Sequence, residues 1–337
     1  MPSHKAVHVK SAGGPLELAE VETRPPERGE VRISVAACGI CGTDAHFVAG
    51  DFPGLSWPLT LGHEIAGTIA DIGPGVKEFE VGDRVAVGWF GGNCNHCAQC
   101  RKGQFIHCVN GKVPSWHYPG GYAESATVPA TALARIPAEL SDADAAPMGC
   151  AGVTTYNALR HTRALPGDRV AILGVGGLGH LGIQFARAMG FETIAINRGT
   201  AKKEDALKLG AHHYIDATDG DVADALNDLG GVAVVLGTAG ASEAMAATVG
   251  GLLPKGELLT IGVTPEPLPI SPLQLITPGL SIVGHPSGTA SEIEDTMQFA
   301  VQTGVRAWIE ELPLAQAADG YAALEQGRAR YRTVLTV

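Results

Sequence analysis

The sequence predicts an α/β protein in two parts, a doubly wound parallel sheet and a β-rich, barrel-like domain that carries metal. Three observations lead there. From Lys5 to about Val128, short Val- and Ile-rich segments are broken by Gly and Pro, with strands expected at 31–37, 65–72 and 83–87. From about Ala151 the rhythm changes to strand–helix alternation, which implies parallel βαβ units. Strands are expected at 168–173, 193–196, 213–215, 232–236, 257–261 and 280–283, and helices at 178–189 and 202–209. After 286 that rhythm is lost, and the chain ends in a β-branched run at 333–337 that reads as a return to the first domain. The expected domains are therefore 1–150 completed by 286–337, and 151–285.

A length of 337 residues suits two domains, and 45 glycines point to many tight turns and close backbone approaches. With 24 basic against 35 acidic residues and a net charge of −11, no basic run exists to neutralise phosphates, which argues against nucleic acid or an anionic membrane as partner. No segment approaches the roughly 18 uninterrupted apolar residues that would span a bilayer. The start, Met1 to Val7, has no long apolar stretch, so a reducing cytoplasm is expected, where thiolates stay available to metal.

Seven cysteines fall mostly into one pattern, Cys94-x2-Cys97-x2-Cys100-x7-Cys108. Four thiolates in a short polar loop match the closed tetrahedral arrangement of a structural zinc. A chance cluster of buried cysteines fits poorly, because 93–104 offers no apolar face. A disulfide framework fits no better in a chain long enough to bury a core.

After the strand expected at 168–173 comes Gly174-Val175-Gly176-Gly177-Leu178-Gly179, opening into a helix. Glycine permits the tight turn and lets backbone N–H groups approach a pyrophosphate at the helix amino terminus, the mark of a Rossmann dinucleotide-binding domain. An NAD site would place Asp or Glu at the end of the next strand; this chain has Asn197-Arg198-Gly199-Thr200, with Lys202 and Lys203 behind. A neutral Asn and a cation favour a 2′-phosphate, hence NADP(H) over NAD(H), although a solvated basic helix start would look the same.

Three further clusters hold soft and imidazole ligands: Cys38-Gly-Ile-Cys41-Gly-Thr43-Asp44-Ala-His46, Gly62-His63-Glu64, and Met148-Gly-Cys150-Ala-Gly-Val-Thr154. By spacing alone Cys38 and Cys41 could be a redox dithiol and His63 an ordinary loop histidine.

Taken together with Val81-Gly82-Asp83-Arg84-Val85, Cys41-x-Thr43-Asp44 followed by Asp51, Gly62-His63-Glu64-x-x-Gly67, Cys150-Ala-Gly, the four-cysteine loop and the glycine turn, the chain resembles the zinc-dependent alcohol dehydrogenases of the medium-chain dehydrogenase/reductase superfamily, in particular the yeast-type and cinnamyl-alcohol-type branches. The resemblance covers nearly the whole chain. It implies a GroES-like catalytic domain beside the Rossmann domain, two zinc ions per chain and hydride transfer between an alcohol carbon and C4 of the nicotinamide. Carried over by residue, it makes Cys41, His63 and Cys150 the catalytic zinc ligands with water or substrate oxygen in the open fourth position, Glu64 a carboxylate at the same zinc that exchanges with the water ligand, and Asp44 the residue orienting His63. It makes Thr43 and His46 the proton relay. Thr154, Gly262, Val263 and Arg332 fall where the family contacts nicotinamide or pyrophosphate. Trp57, Trp89, Trp116 and Phe52 fall near the expected substrate pocket, which suits a medium-chain or aromatic primary alcohol. Relatives of this kind are homodimers or homotetramers. The alternatives are a polyol or formaldehyde dehydrogenase of the same superfamily, or a zinc-stabilised dinucleotide-binding protein without turnover.

Overall fold

The computed structural model describes residues 2–337, and the chain divides into one unit that runs to Val153 and resumes from Ser287 to Val337, and a second from Thr154 to Pro286.

In the second unit, runs such as Val170 to Leu173, Ile194 to Ile196 and Val234 to Leu236 are buried throughout, as parallel strands covered on both faces must be. They build a six-stranded sheet in the order His213–Asp216, Glu192–Asn197, Arg169–Leu173, Val232–Gly237, Leu252–Thr260, Ser281–Gly284. Every neighbouring pair is parallel. The chain's direction of travel through the sheet reverses beside Arg169–Leu173, so the glycine turn leaves its strand at the topological switch point where such sheets bind ligands. The strand expected at 257–261 begins earlier, at Leu252. Pro254 and Gly256 disfavour a regular strand, and a register shift between Val232 and Val234 absorbs them as a bulge, with Lys255 at φ 65°.

The first unit is built on the strand Glu30–Ile40, which pairs with Ser125–Pro129, Ile65–Ile72 and Arg332–Thr336. The sheet continues through Ile309–Pro313 at one end and Arg84–Val87 and Ala134–Arg135 at the other. A three-stranded sheet of Leu16–Glu22, Ser3–Val9 and Leu59–Thr60 stands apart from it. Val31, Ile33, Val35, Ile65, Ile69 and Tyr122 share one core. The long central strand ends immediately before Cys41.

Helices at Gly42–Ala49, Ala151–Arg160, Ala290–Thr303 and Ala317–Glu325 have no counterpart in the sequence pattern as read. Ala290–Thr303 buries only Ile293, Thr296, Met297 and Ala300, a face with two large apolar residues in four turns. It is defined instead by its start, where Thr289 and Glu292 form a capping box. Among the described residues no helix is long and apolar enough to cross a membrane.

Candidate active site and metal centres

Cys41 is the amino-terminal cap of Gly42–Ala49, held in extended backbone. Asp44, three residues on and fully buried, reaches back to accept the Cys41 N–H at 2.9 Å and also accepts the Tyr122 hydroxyl at 2.8 Å. His63 follows Gly62, whose φ of +100° suits glycine, and where a Cβ would lie 2.5 Å from the Tyr122 ring. Cys150 caps the carboxyl end of a short 3-10 turn, Ala146–Gly149, all of it buried. These three segments bring the ligand atoms of Cys41, His63, Glu64 and Cys150 within 4.8 Å of one another, with the two sulfurs 3.9 Å apart. Cys38 is fully buried in the core and is not one of the four.

The cluster fits a cation. Neither ring nitrogen of fully buried His63 has a hydrogen-bond partner, although Nδ1 lies 3.3 Å from Asp44 Oδ1, and Glu64 Oε2 has none either. Buried polar atoms left unpaired are costly, and an ion bound through one imidazole nitrogen, with Asp44 beside the other, would relieve the cost at His63. The hydrogen bond with Cys150 holds the Cys41 thiol well below the ordinary range despite burial, with His63 and Arg332 assisting. The same bond, with burial, pushes Cys150 well up. Burial opposes a charged His63, but Asp44 and Cys41 together raise its pKa. Two thiols, an imidazole and a carboxylate are a donor set suited to zinc. Glu64 is pushed up to about 7 by burial, against the opposing pull of Arg332. The Arg332 guanidinium donates to Glu64 Oε1, so the structure gives this arginine a protein partner inside the first unit.

Thr43 Oγ1 lies 3.7 Å from Cys41 Sγ. His46 Nδ1 is 2.7 Å from Asp51 Oδ2, and both side chains reach the surface. Trp89 stands edge-on to His63, ring centres 5.5 Å apart. Phe52 packs on Phe47 at 4.6 Å and on Trp116 at 4.8 Å, and Trp116 is fixed by a bond from Nε1 to the Pro53 carbonyl. Trp57 is half-buried against the same core.

The four sulfurs of Cys94, Cys97, Cys100 and Cys108 also lie within 4.8 Å of one another. Side-chain and backbone N–H groups point at them, from Asn110 to Cys94, Asn93 to Cys100 and the Cys100 amide to Cys97. Donors of this kind favour thiolate: Cys94 is lowered to about 5, chiefly by Asn110, whereas burial pushes Cys108 up to about 11. No open position remains in this set, which suits a structural ion.

In the second unit the glycine turn is braced from two sides. Thr238 Oγ1 donates to the carbonyls of Leu173 and Gly174, at 2.8 and 3.1 Å. Asn197 Oδ1 accepts the Val175 N–H at 3.2 Å, and Lys202 Nζ donates to the Val175 carbonyl at 2.7 Å. Asn197 and Lys202 are thus engaged by the turn itself, whereas Arg198 points to solvent exposure. The turn runs through Gly176, Gly177 and Leu178 into the helix Gly179–Ala188. A Cβ on Gly179 would fall 1.7 Å from the Gly174 carbonyl, so this contact between helix and strand end tolerates only glycine. Gly262 and exposed Val263 follow Leu252–Thr260, and Thr154 is buried in the first turns of Ala151–Arg160. Tyr122, Asp51 as partner of His46, and Thr238 as a brace were not assigned roles from sequence. Tyr122 and Thr238 act on residues far away in sequence, where spacing carries no signal, whereas Asp51 stands five positions from His46 just past Gly42–Ala49.

Residues 27–138 match the alcohol dehydrogenase GroES-like domain, and residues 177–302 match the zinc-binding dehydrogenase family. An alcohol dehydrogenase of Penicillium expansum is 39% identical over 99% of this chain and 98% of its own length. One from Geobacillus stearothermophilus is 37% identical over 99% of both. A cinnamyl alcohol dehydrogenase of Sorghum bicolor superposes with a TM-score of 0.92 at 28% identity, covering 99% of this chain and 98% of that one. With the two-unit fold and both cysteine clusters in hand, these likenesses mean that the chain belongs to the zinc-dependent alcohol dehydrogenases of the medium-chain dehydrogenase/reductase superfamily.

Proposed function

We propose that this enzyme interconverts primary alcohols and aldehydes, medium-chain or aromatic, using NADP(H) in preference to NAD(H). The observation that carries the substrate class is the aromatic group of Trp89, Phe52 and Trp116, a contiguous row of mutually tilted rings that begins edge-on at His63. Cys41, His63 and Cys150 are the residues that hold the catalytic zinc, and Cys94, Cys97, Cys100 and Cys108 the structural one. Bound zinc supplies Lewis-acid polarisation of the substrate oxygen, and the nicotinamide supplies the hydride chemistry.

The remaining work falls to side chains. Asp44 orients His63 from one side, itself held by the Tyr122 hydroxyl and the Cys41 amide. The Thr43 hydroxyl takes the proton of the substrate hydroxyl while giving up its own to the cofactor ribose, from which His46, steadied by Asp51, passes a proton on to solvent. Trp89 and Phe52 keep water from the reacting carbon. Arg198, exposed beside the turn, pairs with the 2′-phosphate. Exposed Leu273, Ile276 and Ile282, in and just before the sheet's edge strand, favour a homodimer or homotetramer.

Metal analysis with absorbance assays tests this reading. The expected result is about two zinc ions per chain, and loss of NADPH absorbance with aromatic and medium-chain aldehydes faster than with formaldehyde or polyol-derived ketones. A zinc-replete protein that turns over none of these with either cofactor overturns it.

A further inference from the structure

Four donors within 4.8 Å pose a problem for an enzyme of this kind. Cys41, His63, Cys150 and Glu64 could together fill a tetrahedral shell, and a filled shell is a structural site with no place for a substrate oxygen. A substrate oxygen has room only while the carboxylate stands off the ion. One side is plain: Arg332, 96% buried, donates to Glu64 Oε1. The other side is a space. Gly39, in the strand Glu30–Ile40, lies so close that a Cβ there would fall 1.9 Å from Glu64 Oε2, 3.0 Å from Cδ and 3.1 Å from Cβ. Gly39 does not have the positive φ that would call for glycine, and its N–H donates to the Glu64 carbonyl at 2.9 Å in an ordinary strand arrangement. What its missing side chain provides is therefore room rather than backbone freedom.

We propose that Gly39 is a positioning residue whose vacant side-chain volume houses the Glu64 carboxylate, holding it on Arg332 and off the catalytic ion. This rests on the reading of Cys41, His63 and Cys150 as zinc ligands. An alanine methyl at 39 would stand about 1.6 Å short of the ~3.5 Å separation at which heavy-atom contacts are optimal. Oε2 must yield, since it has no hydrogen bond of its own to hold it. Glu64 is fully buried, so the displaced oxygen has no water to turn to. Arg332 already holds the other oxygen, and the ligand atoms of Cys41, His63 and Cys150 lie within 4.8 Å, so an ion bound there is within reach of the displaced one.

The test compares wild type, Gly39→Ala, Glu64→Ala and the double variant, each loaded with Co(II) at the catalytic site. The readouts are thermal stability, rate of metal loss to a chelator, and change in the visible spectrum on adding imidazole as an external ligand. Gly39→Ala is expected to slow metal loss at least tenfold, to abolish the imidazole response and to lower kcat at least tenfold. The double variant is expected to regain the imidazole response and fast metal loss. A purely structural role for Gly39 gives the opposite pattern, faster metal loss with the imidazole response intact, and overturns the proposal. If Gly39→Ala does not fold, the double variant decides: folding once Glu64 is truncated supports the proposal, and failure in both backgrounds overturns it. A wild type whose catalytic-site Co(II) spectrum lacks thiolate charge-transfer bands would instead sink the ligand reading, a result separate from either.

Discussion

Glu64 and Arg332 stand 268 positions apart in sequence and meet as a buried ion pair, each less than 5% exposed. Removing one partner of such a pair leaves an uncompensated charge, which costs about 3–5 kcal/mol. Arg332→Met should therefore lower the melting temperature sharply, and adding Glu64→Gln should recover much of the loss. Calorimetry of the two single variants and the double variant would show this as non-additivity. Additive losses would mean that the pair contributes little.

The ligand assignment separates cleanly from the cofactor domain. Cys41→Ala or His63→Ala is expected to abolish turnover while dinucleotide binding, measured by NADPH fluorescence, survives, because the glycine turn belongs to the other unit. Cys38→Ala should leave the rate nearly unchanged. Its sulfur is fully buried in the core, so its cost appears in stability alone.

The four-cysteine loop is expected to govern stability. Cys97→Ser should reduce zinc from about two to about one per chain and lower the unfolding temperature, with turnover lost only as structure is lost. Unchanged stoichiometry would refute the site.

Cofactor choice is expected to respond to Asn197→Asp with Arg198→Gly. A charge-assisted bond to the 2′-phosphate is worth roughly 1.5–3 kcal/mol, or about 10- to 150-fold in favour of NADPH. The double variant should invert the ratio of kcat/KM values. A wild type that already favours NADH would show that Arg198 is only a solvated surface charge.

Acid stability has a local contributor in Glu257. Burial alone would raise its carboxyl, but the Thr162 hydroxyl and the N–H and guanidinium of Arg163 outweigh burial and hold it below the ordinary 4.5. A depressed folded pKa means stabilisation that is present above about pH 4.5 and lost as pH falls through the folded value. Glu257→Gln should thus destabilise the protein by about 1–3 kcal/mol at pH 7 and by less at pH 3.5. Equal losses at both pH values, by urea titration, would contradict this.

The sequence was most legible where burial is symmetrical. Val170 to Leu173 and Ile194 to Ile196 are apolar runs because both faces of a parallel strand are covered. It was least legible where a few residues do the burying, as in Ala290–Thr303, or where a bulge hides a strand behind Pro254 and Gly256. Cysteine spacing exposed the four-sulfur loop because all its ligands lie on one short segment. The active-site cluster draws on three segments, so spacing left it ambiguous and only a family likeness joined them. Nothing local could have paired Glu64 with Arg332, nor Tyr122 with Asp44.

The Val175 peptide is gripped at both ends, its N–H by Asn197 and its carbonyl by Lys202. On the proposed cofactor reading, residue 197 thus has two tasks, one towards the ribose and one towards the turn. Asp at 197 could still accept the Val175 N–H, but it has no amide to donate to the Arg198 carbonyl, a bond Asn197 makes at 3.2 Å. A new carboxylate would also draw Lys202 away from the Val175 carbonyl. Laboratory selection for a switched cofactor at this position would therefore tend to yield variants that bind both dinucleotides more weakly, with second-site changes that re-anchor the turn following behind.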